Sequence, residues 1–131
     1  MYLADTNIFL EALLQQERTD EVQSLFQSID LDTIFMTDLS LHSIGIILFR
    51  LKKFALFISF LEDMVVHGVG ILSLSPEDLK TLDQIAQKFN LDFDDAYQYA
   101  VSEKYDLQLI SFDKDFNQTE RKRKEPIEVL K

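Results

Sequence analysis

The sequence predicts an α/β fold in which a parallel sheet has helices on both faces. Short apolar runs alternate with longer stretches of helical periodicity along the whole chain, and this alternation is typical of repeated β-α-β units. At 131 residues and 47% hydrophobic content, the chain is long enough for one domain, residues 1–131, with its own core. Two of the apolar runs end directly in an aspartate, which places acids where open α/β sheets build their sites.

The N-terminal elements are predicted from an apolar run and from helix-start signals. Residues 1–5 are predicted to form a strand, and residues 7–16 a helix with one apolar face. Thr19 is the expected N-cap of the next helix. Asp20 and Glu21 follow it and favour the positive end of the helix dipole.

The middle of the chain is predicted to continue this alternation. Residues 33–37 form a short strand, residues 40–51 and 54–66 form two helices that can fold back as a hairpin, and residues 71–74 form the next strand. The tetrapeptide Ser75-Pro76-Glu77-Asp78 then combines a serine cap, a proline at the first helical position and an acid three residues after the cap.

The C-terminal third contains the remaining predicted elements. The helix that begins at Ser75 keeps the 3.6-residue period to Phe89, and a second helix is predicted over residues 93–105. Residues 107–111 form an apolar strand, and residues 127–130 are predicted to form a last short strand behind Pro126.

The net charge of −10 and a pI near 4.5 exclude nucleic-acid binding by a generally basic surface. Any nucleic-acid role has to use metal ions or the one local basic run, which consists of Arg121, Lys122, Arg123 and Lys124. That run has a second interpretation as a solvated loop that maintains solubility. The absence of cysteine excludes disulfides and thiolate metal sites.

The sequence shows neither a secretory signal nor a membrane span. The longest apolar region, residues 39–66, contains Arg50, Lys52 and Lys53, which are costly in lipid. The N-terminus enters a strand without a basic segment and a long apolar run. We therefore expect a cytoplasmic protein without a membrane partner.

Three acidic groups carry the chemistry that the sequence offers. They are Asp5 after the first strand, Asp92, Asp94 and Asp95 at a helix start, and Asp113 and Asp115 after a late strand. Each group has an ordinary structural alternative: an N-cap for the first, first-turn acids for the second and a turn for the third. Their coincidence at strand ends of one sheet favours a common site instead.

Clustered carboxylates either spread apart, take up protons or bind cations. Two like charges about 4 Å apart cost on the order of 4 kcal/mol at an effective dielectric constant near 20. Oxygen ligands without cysteine favour Mg²⁺ or Mn²⁺ over a structural zinc. Such an ion lets an acidic site accept a polyanion and supports in-line hydrolysis of a phosphodiester.

Taken together, these motifs resemble the PIN domain, and most closely the small bacterial VapC-type proteins. The resemblance rests on Asp5-Thr6-Asn7 after a first strand, Asp95-Ala96 at a late helix start, and residues 111–116 after the next strand. It implies a three-layer α/β/α sandwich, Mg²⁺- or Mn²⁺-dependent ribonuclease activity on RNA, frequent homodimers and often an antitoxin partner. The implied metal-binding and catalytic acids are Asp5, Asp95 and Asp113, with Asp94 and Asp115 as additional ligands and Thr6 and Asn7 as supporting residues.

One departure from the resemblance concerns the helix after the second strand. Its first turn in the family has a glutamate, which this chain lacks. Ser43 occupies the place by register, with His42 beside it and Asp38 upstream. His42 can face the site as a metal or phosphate ligand, or be a packed helical residue.

Three functions remain open at the level of the sequence. The first is a metal-dependent endoribonuclease that can be a toxin, the second is a catalytically impaired PIN-like module that binds RNA or protein, and the third is an acidic α/β domain whose carboxylates are only caps. Phe49, Phe57 and Phe60 can form a dimer surface or belong to the core of the monomer.

Overall fold

The computed structural model describes residues 1–131 and has a four-stranded, all-parallel sheet at its centre. The strands are β1 (Tyr2–Ala4), β2 (Ile34–Thr37), β3 (Gly70–Leu72) and β4 (Gln108–Ile110), in the order β3-β2-β1-β4. Because all strands run in one direction, their carboxyl ends meet at one edge of the sheet. The first strand lies inside the sheet, between β2 and β4.

Helices connect the strands and cover both faces of the sheet. They are α1 (Thr6–Leu13), α2 (Thr19–Ser28), α3 (Asp38–Arg50), α4 (Phe54–Phe60), α5 (Pro76–Leu79), α6 (Leu82–Phe89), α7 (Phe93–Lys104) and α8 (Pro126–Leu130). Short 3₁₀ turns lie at Leu31–Thr33 and Lys114–Gln118, and a π-helical segment lies at Leu61–Val66.

The alternation of side chains along the strands divides the core in two. Ala4 and Ile110 belong to a buried cluster with helices α1 to α4 on one face. Their neighbours Leu3 and Leu109 belong to a second cluster with α6 and α7 on the other face. Successive strand residues point to opposite faces, so each short strand serves both layers. The predicted three-layer α/β/α sandwich is confirmed.

The predicted start of α5 is confirmed, but its predicted continuity is wrong. Ser75 and Asp78 form a reciprocal capping box ahead of Pro76. The helix ends at Leu79, because the backbone N–H and the hydroxyl of Thr81 both bond to the carbonyl of Asp78. These local bonds compete with the regular helical pattern.

The predicted N-cap role of Thr19 is also wrong. Thr19 is the first residue of α2, and its hydroxyl donates to the carbonyls of Glu11 (2.8 Å) and Gln16 (2.7 Å). Because this hydroxyl donates to carbonyls earlier in the chain, it stabilises the loop between α1 and α2 and does not cap the new helix.

The C-terminal strand predicted at residues 127–130 is a helix, α8. Pro126 occupies its first turn, and the side chains of Glu125 and Glu128 form a capping box. These are helix-start signals, and they outweigh the apolar run that suggested a strand. Lys124, just before them, makes an isolated parallel bridge to Ile110 at the free edge of β4.

The two helices predicted at residues 40–51 and 54–66 are α3 and α4, the second ending in the π-helical segment. Their aromatic rings meet edge to face, with Phe49 4.9 Å from Phe54 and 5.8 Å from Phe57 between ring centroids. Phe60 is buried, whereas half of Phe49 remains exposed. No helix has the length and apolar character required to cross a membrane.

Candidate metal and active site

The carboxyl edge of the sheet contains a cavity of about 340 Å³ into which the predicted acids converge. Asp5 follows β1, Asp113 follows β4, and Asp95 lies in the first turn of α7. The residues that line the cavity are Asp5, Thr6, Asn7, Leu10, Ser43, Ile47, Asp94, Asp95 and Asp113. The topology thus brings together acids that are far apart in sequence.

Three of the acids are arranged as a cation would require. One carboxylate oxygen each from Asp95, Asp113 and Asp115 lie within 4.8 Å of one another. The donor set consists of carboxylate oxygens only, which fits Mg²⁺ or Mn²⁺ and not a soft metal. Asp5 lines the same cavity and adds to the negative potential at Asp95.

Asp5 itself is held by hydrogen bonds from neutral groups. One of its oxygens accepts from the backbone N–H of Thr6 and from the Gln98 amide, both at 2.8 Å. The other accepts from the Ser111 hydroxyl at 2.7 Å and from the Asn7 amide at 3.4 Å. Asp5 therefore caps α1, as the structural alternative predicts, and it also lines the acidic cavity.

The network around Asp5 extends through residues that sequence reasoning missed. The amide nitrogen of Gln98 also donates to Ser40 at 2.8 Å, and its oxygen accepts from Thr37 at 2.7 Å. The Thr6 hydroxyl bonds to the same Ser40 oxygen at 2.8 Å. One available signal was the i, i+3 spacing of Asp95 and Gln98, which places both on one side of α7.

The electrostatics of the cavity raise the pKa of Asp95 to about 8. Burial is the largest cause, followed by the negative charges of Asp113, Asp92 and Asp5. Burial also raises the pKa of Asp5, against the lowering effect of its hydrogen bonds. A bound cation reverses this balance, because it favours the charged carboxylates.

The other acids of the site also have local structural roles. Asp92 caps α7 by accepting from the N–H of Asp95 at 2.9 Å. Asp113 accepts from the N–H of Asp115 at 2.9 Å and caps the 3₁₀ turn. Asp94 lines the cavity beside Asp95. Capping fixes the backbone of these segments and so fixes where the remaining carboxylates point.

The place of the absent glutamate is occupied by Ser43, which lines the acidic cavity without adding a charge. His42 is exposed and lines a separate, apolar cavity with Gly45 and Phe49. Asp38 accepts from the Tyr97 hydroxyl at 2.7 Å, so it links α3 to α7. Among these residues, only Ser43 is placed to touch a group bound at the acids.

Side-chain hydrogen bonds within the chain engage two of the four residues in the basic run. Arg121 bonds to Asp106 at 2.9 Å, and Arg123 bonds to Glu125 and to the Ser111 carbonyl, both at 2.9 Å. Lys122 and Lys124 are exposed. Any contact of this run with RNA is therefore expected to come mainly from the two lysines.

The fold and the site together define a small α/β/α protein with a carboxylate cluster at the carboxyl edge of its parallel sheet. A family model described as the PIN domain matches residues 2–122, and the chain belongs to the PIN domain family.

Three solved structures from bacteria have the same fold. One is VapC20 of Mycobacterium tuberculosis, described as a toxin that cleaves the sarcin-ricin loop, with a TM-score of 0.78, 16% identity and coverage of 92% of this chain and 95% of that one. A toxin-antitoxin complex from Klebsiella pneumoniae has a TM-score of 0.75 and 19% identity, with coverage of 92% of this chain and 94% of that one. FitAcB from Neisseria gonorrhoeae has a TM-score of 0.73 and 17% identity, with coverage of 97% of this chain and 99% of that one. No curated protein matches this sequence.

Proposed function

We propose that the protein is a divalent-metal-dependent endoribonuclease and the toxin of a toxin-antitoxin pair. The observation that carries the proposal is the oxygen cluster of Asp95, Asp113 and Asp115 beside Asp5 at the carboxyl edge of a PIN fold. An acidic cavity of this kind accepts the phosphodiester of RNA only when a cation offsets its charge. The metal is Mg²⁺ or Mn²⁺ in this proposal.

The residues have distinct roles in the proposed site. Asp95, Asp113 and Asp5 hold the ion, and Asp94 and Asp115 are additional ligands at its border. When bound, the metal supplies an activated water and neutralises the phosphate. Gln98 and Ser111 keep the Asp5 carboxylate in one orientation through their 2.8 Å and 2.7 Å hydrogen bonds. Thr6 and Asn7 support the same turn.

Cleavage of structured and single-stranded RNAs with Mn²⁺, Mg²⁺ or EDTA tests the proposal. We expect metal-dependent cutting that falls at least about 100-fold in Asp95→Asn and in Asp113→Asn, because each variant loses a ligand. Asp83→Asn, which removes an exposed acid on α6, is the matched control and should cut at the normal rate. Cutting by Asp95→Asn at the rate of the unmodified protein would remove Asp95 from the mechanism.

A second candidate is a PIN-type module that binds RNA or protein without turnover. Ser43 favours it, because a cavity with a hydroxyl in place of a glutamate has one carboxylate fewer for the metal. Retained RNA binding by a folded protein that cuts no RNA with either metal would support this candidate over the nuclease.

The partner predictions rest on other parts of the surface. The similarity of the fold to that of the Klebsiella pneumoniae toxin-antitoxin complex supports an antitoxin partner. Ile46, Phe49, Phe54 and Ile58 are about half exposed on α3 and α4, and we propose this hairpin face as the homodimer contact. Phe49→Glu should then give a monomer in light scattering, whereas a monomeric unmodified protein would contradict it. A cytoplasmic location fits an RNA substrate and stays a prediction.

A further inference from the structure

We propose that Arg18 and Phe112 form a stacking platform that binds one nucleobase of the RNA beside the acidic cavity. The inference rests on the proposed action on RNA and adds to it a substrate-positioning site. The guanidinium carbon of Arg18 lies 4.1 Å from the centroid of the Phe112 ring. Phe112 directly precedes Asp113, so the platform and the acids share one chain segment.

The platform lies in a cavity that adjoins the acidic one. This second cavity has a volume of about 270 Å³ and is lined by Asn7, Leu10, Glu11, Gln16, Arg18 and Phe112. Asn7 and Leu10 line both cavities, so a chain with its phosphate at the acids can place a neighbouring base here. The volume is close to the lower end of the range for ligand pockets, about 300 Å³, which suits one nucleoside.

The hydrogen bonds of Arg18 favour a base over a phosphate as its partner. Two guanidinium nitrogens bond to Glu21 at 2.9 and 3.0 Å, and the terminal nitrogens also reach Glu125 at 3.3 and 3.4 Å. The N–H edge of the group is therefore occupied by carboxylates, which also neutralise its charge. One flat face of the guanidinium lies over Phe112, so a base can use only the guanidinium and ring surface that lines the cavity. Guanidinium and aromatic planes are the surfaces on which unpaired RNA bases stack.

The same contacts prepare the platform before RNA arrives. Glu21 on α2 and Glu125 ahead of α8 hold the guanidinium over the Phe112 ring. A side chain already fixed in its binding geometry loses little conformational entropy when the ligand binds. The Glu11 carboxylate, which accepts from the Arg18 backbone N–H at 2.6 Å, adds a hydrogen-bond acceptor for the edge of the base.

Base stacking can be measured without cleavage. The probe is a set of short single-stranded RNAs that carry the fluorescent base 2-aminopurine at successive positions, mixed with the full-length protein and with Ca²⁺ in place of Mg²⁺ or Mn²⁺, so that a cation with oxygen ligands offsets the charge of the acidic cavity. We expect quenching at one or two positions and tight binding by the unmodified protein. Phe112→Leu should lose the quenching and weaken binding about tenfold, because stacking on an aromatic ring is lost. Phe112→Trp should restore both.

Two further variants separate stacking from charge and from general surface effects. Arg18→Lys keeps the positive charge but loses the planar face, and should weaken binding as Phe112→Leu does. Tyr105→Leu removes the ring from another cation-aromatic pair, 5.4 Å from Lys104 at the opposite end of α7, and should bind normally. With Mn²⁺ present, Phe112→Leu should raise KM about tenfold and leave kcat within about twofold. Thermal melting identifies any variant that fails to fold, and Arg18→Lys tests the platform independently of Phe112.

The failures of the two proposals are distinguishable. RNA that is cut with an unchanged KM by Phe112→Leu overturns the platform and leaves the nuclease. Quenching that depends on Phe112, in a protein that cuts nothing, overturns the nuclease and leaves the platform. Normal binding by Arg18→Lys, an equal loss in Tyr105→Leu, or no RNA binding by the unmodified protein overturns the platform.

Discussion

Asp5 and Asp95 lie at the same edge of the sheet in opposite surroundings. Asp5 is 7% exposed and accepts four hydrogen bonds from neutral donors. Asp95 is half-buried, and the groups that perturb its carboxylate are the acids Asp113, Asp92 and Asp5. The comparison indicates that hydrogen bonds from the fold offset part of the cost of burying the Asp5 carboxylate, whereas burial and the neighbouring acids favour the protonated form of Asp95 in the absence of a cation.

The largest effect should come from breaking the neutral network around Asp5. Gln98→Leu removes one hydrogen bond each from the buried carboxylate of Asp5, from Thr37 and from Ser40. The loss of three buried hydrogen bonds costs about 3 kcal/mol in total, which urea denaturation would report as a lower free energy of unfolding. Gln87→Leu, on the exposed side of α6, is the matched control. Equal losses in both variants would mean that the network contributes nothing specific.

The second effect concerns the pH dependence of the protein without metal. The pKa of Asp95 is raised to about 8 in the folded protein, from an ordinary value of 3.8, so the fold favours the protonated acid. The stability that this contributes is present at low pH and is lost as the pH rises from about 4 to about 8. Allowing for solvent screening at a half-buried group, we expect a fall of about 2 kcal/mol in the free energy of unfolding.

Denaturation in EDTA between pH 5 and pH 8 measures this fall, and saturating Mn²⁺ should abolish it, because the ion binds the charged carboxylates of the native state. Asp95→Asn should flatten the curve, since it cannot titrate. If thermal stability is independent of both pH and metal, the result would support the alternative in which the acids are only caps.

The contrast between these two acids also explains how far the sequence could predict the site. Asp5, Asp95 and Asp113 could be predicted because each follows a strand or opens a helix, and such positions are local signals. The partners of Asp5 could not be predicted in the same way. Gln98 lies 93 residues from Asp5 and 58 from Ser40, so only the order of strands in the sheet brings them into contact.

The fold was predictable for the same reason, and its prediction failed where two local signals competed. The parallel sheet and both helical layers follow from apolar periodicity, but residues 127–130 form a helix in place of the expected strand. The apolar run predicts a strand there, but the capping pair Glu125 and Glu128 favours a helix and fixes the backbone more directly. The split between α5 and α6 depends on the hydroxyl of Thr81, which periodicity does not detect.

A smaller effect is expected when a carboxylate is added to the cavity, which extends the comparison between Asp5 and Asp95. Ser43→Glu restores the acid that the resemblance implies, and more ligand charge strengthens cation binding. We expect Mn²⁺ affinity to rise about tenfold in calorimetry, equivalent to about 1.4 kcal/mol, with faster RNA cleavage. Ser43→Gln, similar in size and neutral, is the control. A similar gain in Ser43→Gln would show that side-chain size and not charge was limiting.

The smallest effect is expected at Asp115, the most exposed member of the oxygen cluster. Asp115→Asn removes one like charge near Asp95 and Asp113, and should raise the melting temperature in EDTA slightly, because exposed charges are well screened. The variant should weaken Mn²⁺ binding less than Asp113→Asn does, since Asp113 lines the cavity and Asp115 lies at its border. If Asp115→Asn instead abolishes Mn²⁺ binding, then the ion lies outside the cavity, and the buried Asp5 serves the fold more than the metal.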